Sequence, residues 1–519
     1  MTGATLTGIN GKKIKGNIIS ASGTANIVLS DSTFSGTLGS AYVTARAFYS
    51  TGSVTSVNAT ISNCSFSDIR FTDNVIYAAG LSGAGAVRLN VSDCIFSNIL
   101  SVTSQSDRSV APGNLINWNS SDWLELSNNI FSSSVFKILF GYNATISGNT
   151  FNLSSTLYPF NINRAVSSLQ PLANIRSNRI RLASLSSVNL DCSLVSDNDI
   201  TGGEFLFQNS TAGLTGFAGY VVNDNAFSSS DTTGAFTTAF TIYPGYTVSG
   251  NKFSGNPTEV LVKLGSSTLA QGLLKFYEND CQFDSTIPSF SIVKAEDSFA
   301  SQVQYVLDGN NIKIPVSSTG SVINAVHLAA NNVSCTRNSI SGTNVTGIIF
   351  RGNGGTQTGC SVVGNFVTGA VVEGTDMSIG QNSFADNRGV GNIYMISPYS
   401  ASLITSTLWT EDPSSLMLTS SGATATAWVP LNLPSGQLTA VALDITASGT
   451  VEYKLYSLPA VGSTQTLLDS GSITTGPATT VALVPSTAHF TGPLSTVAVR
   501  IRCNASGSKI GNIRAVIKL

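Results

Sequence analysis

The sequence predicts an all-β chain: a right-handed parallel β-helix of about fourteen coils, followed by a β-sandwich or jelly-roll domain. Three observations predict it. A six-residue pattern containing asparagine recurs at a mean spacing of about 27 residues, inside the roughly 20–50 window that marks solenoids. Alternation of period two surrounds the copies, while helical periodicity is nearly absent. After residue 400 the pattern stops, and short alternating runs separated by Pro- or Gly-rich turns take over.

Length and composition agree with this. At 519 residues the chain is too long for one ordinary domain unless that domain is an elongated repeat. Charged residues make up only 10%, against about 25% in typical soluble proteins. Hydrophobic content is ordinary at 42%, so Ser, Thr, Asn and Gly have replaced the charge. Disorder is thereby disfavoured, because it pairs low hydrophobicity with high net charge. A formal charge of -2 offers no surface for neutralising phosphates and argues against a nucleic-acid partner. No apolar run approaches the ~20 residues of a membrane span, so membrane insertion is not expected. The first twenty residues lack the apolar stretch of a secretory signal. Residues 1–24 are read as an N-terminal cap or a truncated start, with any anchoring portion missing or supplied by another chain. Seven cysteines without a CxxC pair argue against zinc, and their odd number and wide spacing argue against a disulfide framework. No metal or other cofactor is expected.

Residues 25–400 are assigned to the β-helix. The pattern reads LSDSTF (29–34), ISNCSF (61–66), VSDCIF (91–96), LSNNIF (126–131), ISGNTF (146–151) and IRSNRI (175–180). VSDNDI (195–200), VNDNAF (222–227), VSGNKF (248–253), ENDCQF (278–283) and LDGNNI (307–312) continue it. CTRNSI (335–340), VVGNFV (362–367) and IGQNSF (379–384) finish it. Two places before the last apolar residue stand Ser32, Cys64, Cys94, Asn129, Asn149, Asn178, Asn198, Asn225, Asn251, Cys281, Asn310, Asn338, Asn365 and Asn382. A sharp bend between strands leaves backbone N–H and C=O groups inside it. An inward Asn satisfies them and tolerates left-handed backbone geometry. Stacked from coil to coil, the amides also bond one another. Cys64, Cys94 and Cys281 then read as small buried substitutes, inert as buried thiols usually are. The Phe or Ile two residues on faces inward as an apolar spine. At ~4.8 Å per coil, fourteen coils make a rod of roughly 65–70 Å.

Copies such as ISGNTF, LSNNIF, VSDNDI and VSGNKF resemble the repeats of the pectin-lyase-like parallel β-helix superfamily, which includes pectinases, alginate-modifying enzymes, adhesins and bacteriophage tailspikes. The resemblance covers residues 25–390 and speaks for fold, because sites are grafted on such scaffolds separately. Residues 401–519 carry TAWVPLNL (426–433), LTAVALDIT (438–446), VEYKLYSL (451–458), STVAVRIRC (495–503) and IRAVIKL (513–519). About eight strands here suggest a sandwich that binds carbohydrate, caps the helix or trimerises it. Trp409 and Trp428 are weighed as sugar platforms against the commoner role of core or interface aromatics. A β-helix followed by a sandwich resembles the tailspike layout, in which three chains stand side by side.

Within the superfamily, polygalacturonase-type enzymes carry an adjacent Asp pair, a Gly-His-Gly and an Arg-Ile-Lys. This chain has no Asp-Asp, its histidines sit in AVHLA (His327) and TAHFT (His489), and RIR (179–181) stands without partners. The Asp-His and Arg-x-Pro-x-x-Arg motifs of pectate lyases are also missing. Glycosidases generally need two carboxylates. The segment NWNSSDWLELSNNIF (117–131) offers the best candidates. If Leu124 and Leu126 face in, Trp123 and Glu125 face out, beside Arg88 and Asn90 of the preceding coil and Asn143 and Thr145 of the next. Glu125, Asp122 and Glu204 are the catalytic candidates. Arg88, Asn90, Trp123, Trp118 and Asn143 are the substrate-binding candidates, with Arg88 suited to an acidic sugar. The competing reading makes Arg88 and Glu125 a cross-strand ion pair of little consequence. Asp197 and Asp199 read as turn residues, Glu373 and Asp376 as the shapers of a Gly-containing bend, and His327 as a structural strand residue.

The resemblance implies a homotrimeric phage tailspike that recognises and depolymerises a bacterial lipopolysaccharide O-antigen or capsule, as hydrolase or lyase. It would sit in the virion tail on a tail or baseplate anchor protein. A non-catalytic receptor-binding fibre or adhesin is the alternative. A secreted lyase or hydrolase is the third reading, disfavoured by the missing pectinase motifs and signal peptide.

Overall fold

The computed structural model describes the chain except residues 1–3, 38–43, 73, 80–85, 103–112, 120–122, 134–135, 141–142, 154–159, 163–172, 184–185, 208–218, 231–235, 256, 266–270, 284–290, 297–301, 314–322, 342–344, 351–358, 369–371, 375–382, 386, 388–391, 397–407, 413–416, 423, 432, 434–435, 460–464, 492–494 and 519. It is a parallel β-helix with a C-terminal antiparallel sandwich, and every regular element among the described residues is a strand or turn. Two compact units divide it, Met1–Val333 and Ser334–Leu519.

In the first unit the coils after the first two contribute three strands, whereas in Ile19–Ser30 and Phe48–Ser62 two of the three are fused. One leads into the asparagine bend (the ladder strand), a short one follows it (the post-turn strand), and a third completes the circuit. In one coil these are Ala86–Ser92, Ile95–Val102 and Gly113–Asn119. Each pairs in parallel with its counterpart one coil on: Ala86–Ser92 with Trp123–Ser127, and Ile95–Val102 with Ile130–Ser133. Within residues 1–24, read from the sequence as a cap or a truncated start, Ala4–Thr7 pairs with Ile27–Ser30 and Asn10–Lys12 with Thr33–Ser35.

The bend has a fixed recipe. The residue before the ladder position takes left-handed backbone geometry: Asp31, Asn63, Asp93, Asn128, Ser177, Asp197, Asp224 and Glu278 all have φ between 48° and 58°. The left-handed residue is thus the neighbour of the ladder residue, not the ladder Asn itself. Most of these are Asp, Asn or Ser, whose short polar side chains lower the steric cost of that conformation, Glu278 being the exception. Gly148, at φ 67°, serves in the same place. The ladder Asn points inward and is buried. Asn149 is typical: its Nδ2 donates to Leu126 O (2.9 Å), Ser147 O (3.0 Å) and Asn178 Oδ1 (3.0 Å). Its Oδ1 accepts from the backbone N and the Nδ2 of Asn129. The bend's backbone groups are thereby satisfied away from water, as burial requires.

Two predicted ladder positions are corrected. In ENDCQF it is Asn279, not Cys281, that joins the ladder, accepting from Asn251 and donating to Asn310 Oδ1. Cys281 lies on the spine, opposite Phe253 and Ile312. In the second unit Asn338 donates to Asn365 and Asn365 to Asn387. Asn387, not Asn382, therefore ends that ladder, and Phe384 belongs to a ladder strand opposite Val362. Asn382 itself lies outside the described residues. In ENDCQF the expected frame sits two residues too late and in IGQNSF five residues too early, because an Asn or Cys two places before a Phe recurs by chance in so polar a sequence.

The spine runs through Phe34, Phe66, Phe96, Phe131 and Phe151, whose rings stack at centroid distances of 5.2, 4.6, 4.7 and 4.9 Å. It continues through Ile180, Ile200, Phe227 and Phe253.

The sandwich packs a seven-stranded sheet with a four-stranded one, both antiparallel. Four strands fall close to the sequence-predicted runs: Thr426–Leu431, Gly436–Ala447, Val451–Pro459 and Ser495–Cys503. Its first strand is Asn392–Ile396, paired with Lys509–Lys518, so the sandwich starts before residue 401. Inward residues including Leu443, Val499, Ile501, Ile513 and Ala515 are fully buried.

Candidate functional site

Outward columns on the ladder strands follow directly from the alternation. Leu124 and Leu126 are fully buried, so Trp123 and Glu125 turn outward. Register places Trp123 opposite Arg88 and Glu125 opposite Asn90 on one side. On the other side Glu125 faces Thr145, and Asn143 meets the start of the strand, its carbonyl accepting from Leu124 N (3.1 Å). Arg88, Asn90, Trp123, Glu125 and Asn143 therefore gather on three consecutive rungs, ~4.8 Å apart.

Exposure and pairing show how this patch can act. Trp123 is 37% exposed, large for an aromatic on a β surface, and Arg88 is exposed beside it. Glu125 and Asn90 are half-buried. Neither Arg88 nor Glu125 forms an ion pair or side-chain hydrogen bond among the described residues, because the register sets them diagonally instead of face to face. The competing ion-pair reading therefore fails. Asn90 Oδ1 is buried without a donor, and a buried acceptor left unpaired costs about 1–3 kcal/mol. An indole face, a guanidinium and a carboxylate, the last two unpaired among the described residues, form a surface suited to a polyhydroxylated ring.

Sequence reasoning missed the start of this row. Asn58 precedes Arg88 and Asn26 precedes Asn58 in the same outward column, and both are exposed. The alternation in VTSVNATIS would have revealed Asn58. A neighbouring column presents Ser62, Ser92, Ser127 and Ser147 in succession, adding hydroxyls along the axis.

Three other candidates fall elsewhere. Trp118 is corrected: it is fully buried, with its ring centroid 6.3 Å from that of Phe48, and it cannot meet a ligand at the surface. The apolar run around it makes both alternation phases plausible in sequence, and the bulkier side chain took the core. Asp122 lies outside the described residues. Glu204 precedes the third strand of a later coil, Phe205–Phe207, and is not brought together with Glu125. Its rung neighbour Ala239 is fully buried, and Leu261 and Ile292 continue that column on later rungs. Burial in this apolar column raises the Glu204 carboxyl above its ordinary value. Among the described residues, no second carboxylate occupies the register positions beside Glu125.

The remaining readings resolve individually. Asp197 is the left-handed turn residue, whereas Asp199 opens the post-turn strand and is exposed. His327 lies on a strand, opposite Lys294. Glu373 lies on the strand Val372–Gly374, and Asp376 is outside the described residues. Trp409 is sandwich core, 8% exposed. Trp428 is half-buried on the outer face of the four-stranded sheet, its ring 5.3 Å from Tyr456 and 5.9 Å from the Arg500 guanidinium carbon. No His, Cys, Asp and Glu cluster fit to hold a metal occurs among the described residues. No helix there is long and apolar enough to cross a membrane.

No family model matches the chain, and no curated protein matches it. Among solved structures it is similar to bacteriophage tailspike proteins. A mutant tailspike of E. coli bacteriophage HK620, in complex with a pentasaccharide, is 12% identical with a TM-score of 0.35 over 100% of this chain and 87% of that one. The enzymatically active domain of tailspike protein 4 of bacteriophage CBA120 is 11% identical with a TM-score of 0.20, over 95% of this chain and 64% of that one. Tailspike protein gp49 of Acinetobacter baumannii bacteriophage Fri1, a capsular polysaccharide depolymerase, is 10% identical with a TM-score of 0.15 over 99% and 86%.

Proposed function

We propose that this chain is a tailspike-type receptor-binding protein that holds a bacterial surface polysaccharide, an O-antigen or capsule, against the outer face of its ladder strands. The observation that carries the reading is the exposed Trp123 beside Arg88 and Glu125, both unpaired among the described residues. The indole packs against the apolar face of a sugar ring. Arg88 holds a carboxylate or hydroxyl oxygen. Little main-chain adjustment is needed, because the groups sit on strands held by the ladder.

Assembly into a homotrimer on a tail or baseplate anchor belongs to the same proposal. Three copies of a modest site would raise affinity through effective concentration. Cleavage is the second reading. Glu204 favours it, because burial raises its carboxyl above the ordinary value, the direction that favours a proton donor. The Glu125 patch alone lacks the second carboxylate that hydrolysis generally uses.

The test incubates the purified chain with lipopolysaccharide and capsule from a panel of Gram-negative strains. Binding, new reducing ends and absorbance in the unsaturated-uronate band are followed together. Binding to one or a few polymers is expected. Reducing ends lost in Glu204→Gln would place hydrolysis at that residue, and an absorbance rise would indicate a lyase. Absence of binding to every polymer would remove the proposal.

A further inference from the structure

A second site lies on a different face of the first unit. The post-turn strands Asp199–Gly202, Ala226–Ser229, Lys252–Gly255 and Asp280–Phe283 present one outward column, in which Asp199, Ala226, Lys252 and Asp280 follow one another. Ala226 is the short member, and with Ser228 and Ser254 it floors a depression of about 210 Å³. Asp199, Lys252, Asp280 and Gln282 form its walls. The volume suits a single sugar ring, and the floor and walls are rich in hydrogen-bonding groups.

Charge selects the ligand. Asp199 is already engaged by Arg181. Asp280 is engaged by Lys313 Nζ at 3.7 Å and by the Asn311 amide at 3.3 Å. Lys252 is exposed and has no ion pair or side-chain hydrogen bond among the described residues. The groove thus holds two compensated carboxylates and one free ammonium between them. We infer that it is a saccharide subsite for an acidic sugar, whose carboxylate meets Lys252 while its hydroxyls meet Ser228, Ser254 and Gln282.

The site binds and does not cut. Asp199 and Asp280 stand three rungs apart, about 14 Å along the axis at ~4.8 Å per rung. That exceeds the roughly 6.5–9.5 Å spanned by the carboxylates of inverting glycosidases. The inference shares with the proposed function the idea of a polysaccharide ligand, but uses none of the ladder-face residues.

Calorimetric titration of the full chain with trigalacturonate, and with maltotriose as the neutral control, tests it. Trigalacturonate should bind and maltotriose should not at the same concentrations. Lys252→Met should weaken trigalacturonate by about tenfold. Ala226→Tyr, which fills the depression, should abolish binding, while Lys275→Met, an exposed lysine on the strand Gln271–Tyr277 outside both the groove and the Trp123 patch, should leave it intact. Equal binding of both trisaccharides, or no binding of trigalacturonate, would overturn the assignment. So would loss of binding in Trp123→Ala with Lys252→Met unaffected, which would move the acidic-sugar contact to the ladder face. Thermal midpoints matching the parent show that the two groove variants are folded. If surface polysaccharide still binds through Trp123 while the groove fails, only this inference falls. If trigalacturonate binds through Lys252 while no surface polymer does, only the proposed function falls.

Discussion

The first bends of the helix and the later ones turn the same corner with different chemistry. At Ser32, Cys64 and Cys94 the inward group is a hydroxyl or thiol, whereas from Asn129 to Asn310 it is an amide. Cys64 Sγ donates to Ser62 O at 3.2 Å, and Cys64 N donates to Cys94 Sγ at 3.4 Å. These weak sulfur contacts replace the several amide bonds of a ladder Asn. Over these coils the spine is a stack of phenyl rings that runs on through Phe131 and Phe151 at the first two amide bends, whereas later it mixes Ile, Phe and Cys281. The bends with thin polar satisfaction thus all carry an aromatic spine, and one backbone trace tolerates two distributions of energy.

Deleting a member of each network should therefore give opposite rankings in the two regions. Asn198→Ala removes donors to Ile175 O, Ser196 O and Asn225 Oδ1 and strands the Asn178 groups. It should cost about 3–5 kcal/mol by urea denaturation. Its spine neighbour, in Ile200→Ala, should cost about 2–4 kcal/mol. In the early coils the order inverts: Phe96→Ala should cost about 3–5 kcal/mol and Cys94→Ala only about 1–2 kcal/mol. Equal costs for Cys94→Ala and Asn198→Ala would break the comparison.

A smaller change sharpens it. Cys94 N already donates to Asn129 Oδ1 at 2.9 Å, so Cys94→Asn would extend the amide ladder by one rung. A gain of about 0.5–1.5 kcal/mol is expected. A loss would mean that the aromatic region has no room for the amide.

Glu204 gives a pH signature. Burial raises its carboxyl above the ordinary value in the folded chain. The stability linked to its protonation is thus present below the unfolded value and lost as pH rises through the folded one. Glu204→Gln should then raise the thermal midpoint at pH 7–8, with the difference vanishing below about pH 4. A difference independent of pH would deny the desolvation.

The smallest effect concerns reactivity. Burial pushes the thiol of Cys94 up to about 12 and that of Cys503 to about 11. Both should resist iodoacetamide at pH 8 in the native protein and react once it is unfolded. Prompt native labelling of Cys94 would show that the early bends open.

The fold was legible because its repeat carries backbone chemistry. A left-handed residue followed by an inward amide is needed at each bend, and LSNNIF or VSGNKF advertises it locally. The frame slipped where an Asn and a Phe recur nearby, as at Asn279 and Asn387. The patch was partly legible because WLELS alternates cleanly, which set Trp123 and Glu125 outward. Trp118 was not, since NLINW offers apolar residues in both phases and only packing decides which is buried. The groove at Lys252 left no local signature. It arises from four post-turn strands whose sequence separation of about 27 residues hides their contact.

The most direct test of the central claim is the affinity of Trp123→Ala for whichever surface polysaccharide the parent chain binds, measured at equal folded fraction. The account predicts a loss of about tenfold or more, with Arg88→Gln weakening acidic polymers further. Unchanged affinity in Trp123→Ala would contradict it and move recognition off the ladder face.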